Sequence, residues 1–361
     1  MMSDHSEQYF DTIVRELRRW DFVRGRDDWP FVIGVSGGID SAVVLCLLER
    51  SVGPNRVRAF NLPSRFNSAA TRDAAKTICE RLGIVLGEIP IDPIAETVRE
   101  TLQRAGFEPG PLHFENIQAK IRGTDLLSNI AGILGGLLTN NGNKVEAILG
   151  YATLYGDVNG AVRPIGDLTK LEVWALAAHL NDRIYRREVI PRTLIPEHPS
   201  VAADIPPSAE LAPDQIDPMK WGYHDALAVY FQTRLDAIAD GKTLEPVLSA
   251  WKNGVFSRFL SAWNGLAEEE NDAVLDAHGL SDRQVFLDDL YWFLRSVHAA
   301  RFKRLQSPPA IPVHESVGMT ESAEQTPWTL TRDQLERMAD AWGDGGGTRR
   351  SSANSDIPRT A

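Results

Sequence analysis

A seven-residue turn, SGGIDSA at Ser36–Ala42, follows directly on the apolar run Phe31-Val32-Ile33-Gly34-Val35. A buried strand that feeds two adjacent glycines and then a helix leaves few folds open to a chain. Gly37 and Gly38 lack Cβ, so the backbone can turn sharply there and approach a ligand closely. The helix beginning beyond them presents unpaired N–H groups and the positive end of its dipole. Together these make a seat for a polyphosphate, with Ser36 and Ser41 adding hydroxyl donors. Asp40 is a poor neighbour for phosphate unless Mg²⁺ lies between them.

The surrounding pattern predicts an α/β fold, a doubly wound parallel sheet with helices on both faces and a helical C-terminal part. An amphipathic helix over about Ser6–Phe22 has apolar positions at Phe10, Ile13, Val14, Leu17, Trp20 and Phe22. Strands are expected at Phe31–Val35, Val57–Leu62, Ile84–Ile89 and Val145–Leu149. Helices are expected over Ala42–Glu49, Ala69–Leu82, Phe114–Thr139 and Thr169–Leu180. The Pro-rich stretch Ile190–Pro218 reads as a long loop, and Tyr223–Arg304 as mostly helical. Ligands in such sheets sit beyond the carboxyl ends of the strands, where Ser36 lies. Beyond Pro308 the apolar pattern fades, and residues 310–361 read as a flexible tail rich in Gly and Ser.

Composition narrows the function classes. A formal net charge of −11 over 361 residues disfavours nucleic acid as a partner. No apolar run is long enough to span a bilayer and no signal peptide is evident, so the chain reads as cytoplasmic. Cys46 and Cys79 are too few for a disulfide framework, and both read as buried free thiols. The histidines show no metal-ligand spacing.

The loop lacks the Lys-Ser/Thr ending of the Walker sequence and the spacing of the dinucleotide fingerprint. Its SGGxDS pattern resembles the pyrophosphate loop of the N-type ATP pyrophosphatases, which cleave ATP between the α and β phosphates. Further segments follow in order: ENIQAKIRG at Glu115–Gly123, GNKVEAILGYATLYGD at Gly142–Asp157, PIGDLTK at Pro164–Lys170, PPSAELAPDQ at Pro206–Gln215 and FKRLQSPP at Phe302–Pro309. The series resembles NAD synthetase, in particular the synthetase half of the glutamine-dependent form. It extends from Tyr9 to Pro309, with a helical insertion at about Asp236–Asp272, so residues 1–309 are expected to form one synthetase domain.

The resemblance implies ATP-dependent amidation of nicotinic acid adenine dinucleotide through an acyl-adenylate. ATP is then co-substrate and Mg²⁺ the cofactor. It makes Asp40 and Glu146 the metal ligands, and Asp40 and Lys170 the catalytic pair. Ser36, Gly37, Gly38, Asp40, Ser41, Asn141, Lys170 and Ser208 would hold ATP. Lys120, Tyr155, Asp157 and Lys303 would hold the dinucleotide. Each has a plainer reading. Glu146 can be a solvated charge before a strand, Ser208 a helix N-cap, and Lys303 part of a basic solvated face. Lys170 stands at a helix start, where the dipole disfavours a cation, and that misfit favours a functional role.

Several positions depart from the family pattern. Lys120 stands where an Arg is common, with Arg122 two residues on able to share its role. Asn141 stands where many ammonia-dependent members have Thr. Leu154 and Ala161 replace a lysine and an aspartate, and Gly123 stands where a bulky residue is usual. Only about thirty residues precede the first strand, too few for a glutaminase domain. Ammonia is therefore expected free or from a separate glutaminase, and a homodimer is expected by the same resemblance. Two alternatives stay open: a pyrophosphate-loop amide ligase acting on a different carboxylate, and a non-catalytic homologue that senses nucleotides.

Overall fold

Phe31–Gly34 (β1) pairs in parallel with Val57–Asn61 (β2) on one side and with Leu137–Leu138 (β4) on the other, while β2 pairs with Leu86–Glu88 (β3). The strand order is β3-β2-β1-β4, with Phe31 opposite both Val57 and Leu137. The computed structural model describes residues 5–24, 28–238, 240–314 and 330–341. Among these the chain divides into two compact units. One holds the residues up to Pro218 together with Phe302 onward to His314; the other holds Met219–Arg301 and the residues from 330 to 341. The sequence had suggested a single body over residues 1–309.

The sheet belongs to the first unit. Ile39–Val52 (α2) and Ala69–Leu82 (α3) connect β1 to β2 and β2 to β3. Right-handed crossovers in the same direction place both helices on one face. The chain then passes back beyond β1, so Asp92–Arg104 (α4), Pro111–Lys120 (α5) and Asn129–Ile133 (α6) cover the other. On that face Val32, Leu62, Ile91, Ala95, Ile121, Leu127, Ala131 and Leu138 form one core. Ser6–Arg24 (α1) buries Ile13, Val14 and Leu17 as its spacing predicts. The side chains of Trp20 and Phe22 lie outside those described.

Two elements differ from the sequence reading. The stretch expected as strand Val145–Leu149 is helix α7, Lys144–Leu149. A capping box decides it: Asn143 Oδ1 accepts from Glu146 N, and Glu146 Oε2 accepts from Asn143 N, each at 3.1 Å. Gly150 ends the helix in the left-handed conformation. The expected helix Phe114–Thr139 is α5, a π-helical stretch Ile121–Ser128, α6 and then strand β4. Gly135, at φ 61°, terminates α6. Gly136 lets the chain pass Pro30, whose carbonyl oxygen a Cβ would meet at 2.4 Å. Helix α4 went unread, and the stretch from 190 to 218 holds a single 3-10 turn, Arg192–Leu194.

The second unit contains Tyr223–Phe231 (α9), Gly241–Lys252 (α10), Phe256–Asn264 (α11), Glu268–Ala277 (α12) and Arg283–Ala299 (α13). The aromatic residues of the expected insertion pack inside it. Trp251 stacks on Phe286 at 4.8 Å, and Trp263 meets Tyr230 edge-on at 5.1 Å. Part of the expected tail is ordered, because Arg301–Arg304 (α14) is followed later by Arg332–Ala341 (α15). Thr331 and Gln334 cap α15 reciprocally, Leu335 is fully buried, and Arg332 pairs with Asp288 at 2.5 Å. The rest of that tail, residues 315–329 and 342–361, lies outside the described residues. Among the described residues no helix is long and apolar enough to cross a membrane. Both cysteines are buried free thiols.

Candidate functional site

Beyond the carboxyl end of β1 the chain makes the turn Ser36–Gly38. Gly37 has φ 92°, and a Cβ there would fall 1.8 Å from the carbonyl oxygen of Thr71. The loop therefore lies flush against α3, which only glycine permits. Gly38 is the N-cap of α2 and makes no side-chain cap, so the first N–H groups of a 14-residue helix stay open. Ser36 Oγ accepts from Gly38 N at 3.3 Å and contacts Ser41 Oγ at 3.3 Å.

This turn forms one end of a cavity of about 570 Å³ in the first unit. Its walls include Ser36, Gly38, Asp40, Ser41, Asn141, Glu146, Asp157, Ser208 and Lys303. Gly37 shapes the turn from behind it. Asn141 donates to Gly34 O at 2.8 Å and leaves its own Oδ1 buried without a partner. Ser208 is not a helix cap, since its hydroxyl donates to Gln215 O at 2.6 Å within an irregular segment.

Asp40 and Glu146 converge on one ammonium. Lys170 opens helix α8, Lys170–His179, and is 0% exposed. Its Nζ donates to Asp40 Oδ2 and lies 3.4 Å from Glu146 Oε1. Burial disfavours that charge, yet the carboxylates of Asp40 and Glu146 outweigh it and raise the lysine pKa. Lys170 is thus a counter-ion to these two carboxylates and stands outside the residues that line the cavity. Asn143, missed in the sequence, braces the pair by donating to Asp40 Oδ1 at 3.3 Å while capping α7. The sequence NKVE held the signal.

The pair suits a divalent cation. Burial pushes the Glu146 carboxyl up to about 8; the ammonium of Lys170 opposes this, and the carboxylates of Asp40 and Asp217 reinforce it. Asp217 is raised too, by burial first, and its Oδ1 is sealed without a partner. Beyond burial, crowding of carboxylates around one lysine resists ionisation of Glu146 and Asp217, and a divalent cation would relieve it. Among the described residues no group of three such side chains could alone hold a metal ion. An ion here would complete its shell with water and substrate oxygens, the habit of Mg²⁺.

The expected dinucleotide contacts are only partly assembled. Lys303, on α14, donates to Gly150 O at 2.8 Å and Ala152 O at 2.6 Å. Burial lowers its pKa. Asp157 accepts from Thr153 N at 2.6 Å, and burial raises its carboxyl. Tyr155 is 59% exposed at φ 64° and lies off the cavity wall. Lys120 is likewise exposed and off the wall, whereas Arg122 lines it. Two residues along a helix turn a side chain to a different face, and Arg122 has the inward one. Gly123 packs directly on Gly156, whose carbonyl oxygen a Cβ would meet at 1.9 Å, so the bulky residue usual there cannot be accommodated.

Two further features escaped the sequence. Glu210, at φ 46°, accepts from Asn67 Nδ2 at 2.8 Å, Ser68 N at 3.2 Å and Thr71 Oγ1 at 2.9 Å, clasping the segment from 205 to 217 onto the α3 N-terminus. Phe302–His314 forms a strap from the cavity to the base of α8. Lys303 and Ser307 line the cavity at one end. At the other, His314 Nδ1 reaches Asp167 Oδ2 at 3.1 Å and Nε2 reaches Glu172 Oε1 at 2.8 Å. Lys144 pairs with Asp167 at 2.9 Å, and Tyr9 donates to Glu172 at 3.0 Å. Asp167 and Glu172 lie on either side of Lys170 in the sequence, and Glu172 caps the helix that Lys170 opens.

Comparison with known proteins agrees with this arrangement. The family model described as NAD synthase matches residues 14–249. The glutamine-dependent NAD(+) synthetase of Thermotoga maritima is 34% identical over 237 residues, covering 64% of this chain and 39% of the relative. That of Synechocystis is 40% identical over 188 residues, covering 52% and 31%. The chain thus spans well under half the length of these curated relatives. A crystal structure of a glutamine-dependent NAD(+) synthetase from Cytophaga hutchinsonii shares the fold, with a TM-score of 0.59 at 15% identity, covering 93% of this chain and 56% of that one. The matched stretch contains the Ser36–Ser41 turn, the Asp40–Glu146 pair and the α8 lysine together, and covers well over half the chain: it belongs to the NAD synthase family.

Proposed function

We propose that the protein amidates nicotinic acid adenine dinucleotide to NAD, consuming ATP and ammonia and releasing AMP and pyrophosphate. The observation behind this reading is the uncapped α2 N-terminus, which carries Asp40 in its first turn, lining one cavity together with Glu146, within the stretch shared with NAD synthases. A carboxylate is a poor acyl donor at neutral pH. Its oxygen attacks the α-phosphorus of ATP, pyrophosphate leaves, and the acyl-adenylate then carries a good leaving group. Ammonia attacks the acyl carbon, loses a proton, and AMP departs.

Little covalent work falls to the side chains, so positioning and charge stabilisation dominate. The N–H groups at Gly38 and beyond, with Ser36 and Ser41, hold the departing phosphates. Asp40 and Glu146 would hold Mg²⁺, which neutralises phosphate charge when bound. Lys170 keeps those two carboxylates converged, and Arg122, Asp157 and Lys303 shape the wall for the acceptor. Ammonia comes free or from a separate glutaminase, and the active form is a homodimer.

The test incubates the purified protein with ATP, Mg²⁺, ammonium and the deamido dinucleotide, and follows NAD and AMP. Equal formation of both supports the reading. Pyrophosphate release with another acid alone would replace it by a ligase of different acceptor, a reading favoured by the position of Lys120 outside the cavity. Replacing ammonium with glutamine separates the nitrogen sources.

A further inference from the structure

Arg163 lines the cavity but is itself only 7% exposed. Its backbone is fixed, with N–H donating to Pro309 O at 2.9 Å and its carbonyl accepting from Ile311 N at 3.3 Å. Gly166 lies against the side chain, where a Cβ would fall 2.1 Å from Nε. Nε is sealed from solvent without a partner. Among the described residues nothing pairs with Nη1 or Nη2 either; these two are not sealed, and the residue they belong to lines the cavity. Burial lowers the guanidinium pKa to about 10 against the pull of Glu146 and Asp167, which leaves it charged at neutral pH. A buried charge without a hydrogen-bonded counter-ion is strongly unfavourable.

The other cations of the site are already engaged. Lys170 is sealed against Asp40 and Glu146. Lys303 donates to two carbonyls. Arg122 donates to Leu62 O at 2.8 Å and Asn67 Oδ1 at 3.1 Å. Arg163 makes no such bond.

We infer that Arg163 is an anion-binding residue of this cavity and that its ligand is the pyrophosphate portion of the nucleotide. The planar fork of donors matches phosphate oxygens, which a lysine meets only as a point charge. The identification of the anion rests on the cavity being an ATP site.

The test measures binding of inorganic pyrophosphate to the full chain by calorimetry, with the thermal midpoint of the unliganded protein recorded alongside. Arg163→Met is expected to weaken pyrophosphate binding by about tenfold or more while raising the midpoint, because it removes an unpaired buried charge. Arg163→Gln should lose affinity similarly and serves if the methionine variant does not fold. Unchanged affinity in either folded variant overturns the inference, as does lost affinity with a lowered midpoint in both, which marks a packing role. Because no turnover is involved, the two readings fail separately. Arg163-dependent pyrophosphate binding without NAD formation removes the proposed reaction alone. NAD formation with Arg163-independent binding removes this inference alone. A native chain that does not bind pyrophosphate overturns it as well.

Discussion

Gly37 and Thr71 meet backbone to backbone, with no room for a single methyl group between them. The contact joins the turn after β1 to the first turn of α3, so the proposed phosphate seat inherits the rigidity of the sheet. Gly37→Ala meets both a positive φ and a clash with a carbonyl oxygen. It should cost about 2–4 kcal/mol and lower AMP formation by about 100-fold through misplacement of the loop. Chemical denaturation and an AMP assay on the same preparation check both; a stable, active variant would refute the rigid seat.

Asp40→Asn takes from Lys170 one of its two paired carboxylates, and from the proposed metal pair one ligand. AMP formation should fall by at least about 100-fold. Removing Mg²⁺ with a chelator should abolish turnover in the native chain and restoring it should bring activity back. Turnover that persists in chelator contradicts the assignment.

His314 is held by two carboxylates. Burial alone would lower its pKa, but bonds to Asp167 and Glu172 raise it to about 9. Its contribution to stability is therefore fully present below its unfolded value near 6.5 and is lost as pH rises through about 9. The shift corresponds to on the order of 3 kcal/mol. His314→Gln should lower the thermal midpoint most near pH 6, and the gap from the native chain should close above about pH 9. A gap that does not vary with pH would mean the imidazole contributes by packing alone.

Glu210 ties the segment from 205 to 217 to α3 through three hydrogen bonds. Glu210→Ala should free that segment and raise its rate of proteolytic nicking between Pro206 and Gln215, with global stability changed by only about 1–2 kcal/mol. Added ATP should protect the native chain more than the variant. Identical cleavage patterns would show that the clasp is not what holds the segment.

What the sequence disclosed follows how locally each feature is encoded. The Ser36–Ala42 turn, β1 and α3 were legible because strand, glycines and caps lie side by side in the chain. Glu146 was found by resemblance, but its helix was misread, since the apolar run around it suits a buried strand as well as a helix and only Asn143 three residues earlier decides between them. β4 has just two residues, too few to show a period. Lys170 was identified without its burial, because Asp40 lies 130 positions away. Arg163 and His314 owe their meaning to the strap that returns from beyond residue 301, and no local pattern reports such a meeting.

The discontinuity of the first unit has a consequence for how the protein comes into being. Its sheet and the Ser36–Gly38 turn are synthesised before the helices of residues 219–301, and only afterwards come Lys303, Ser307 and His314. A nascent chain can form the sheet early, yet it lacks part of the cavity wall until the ribosome has passed Ser307. The cavity wall is thereby completed only after the helices of residues 219–301 have been made, and contacts spanning such long loops are the slow ones in folding.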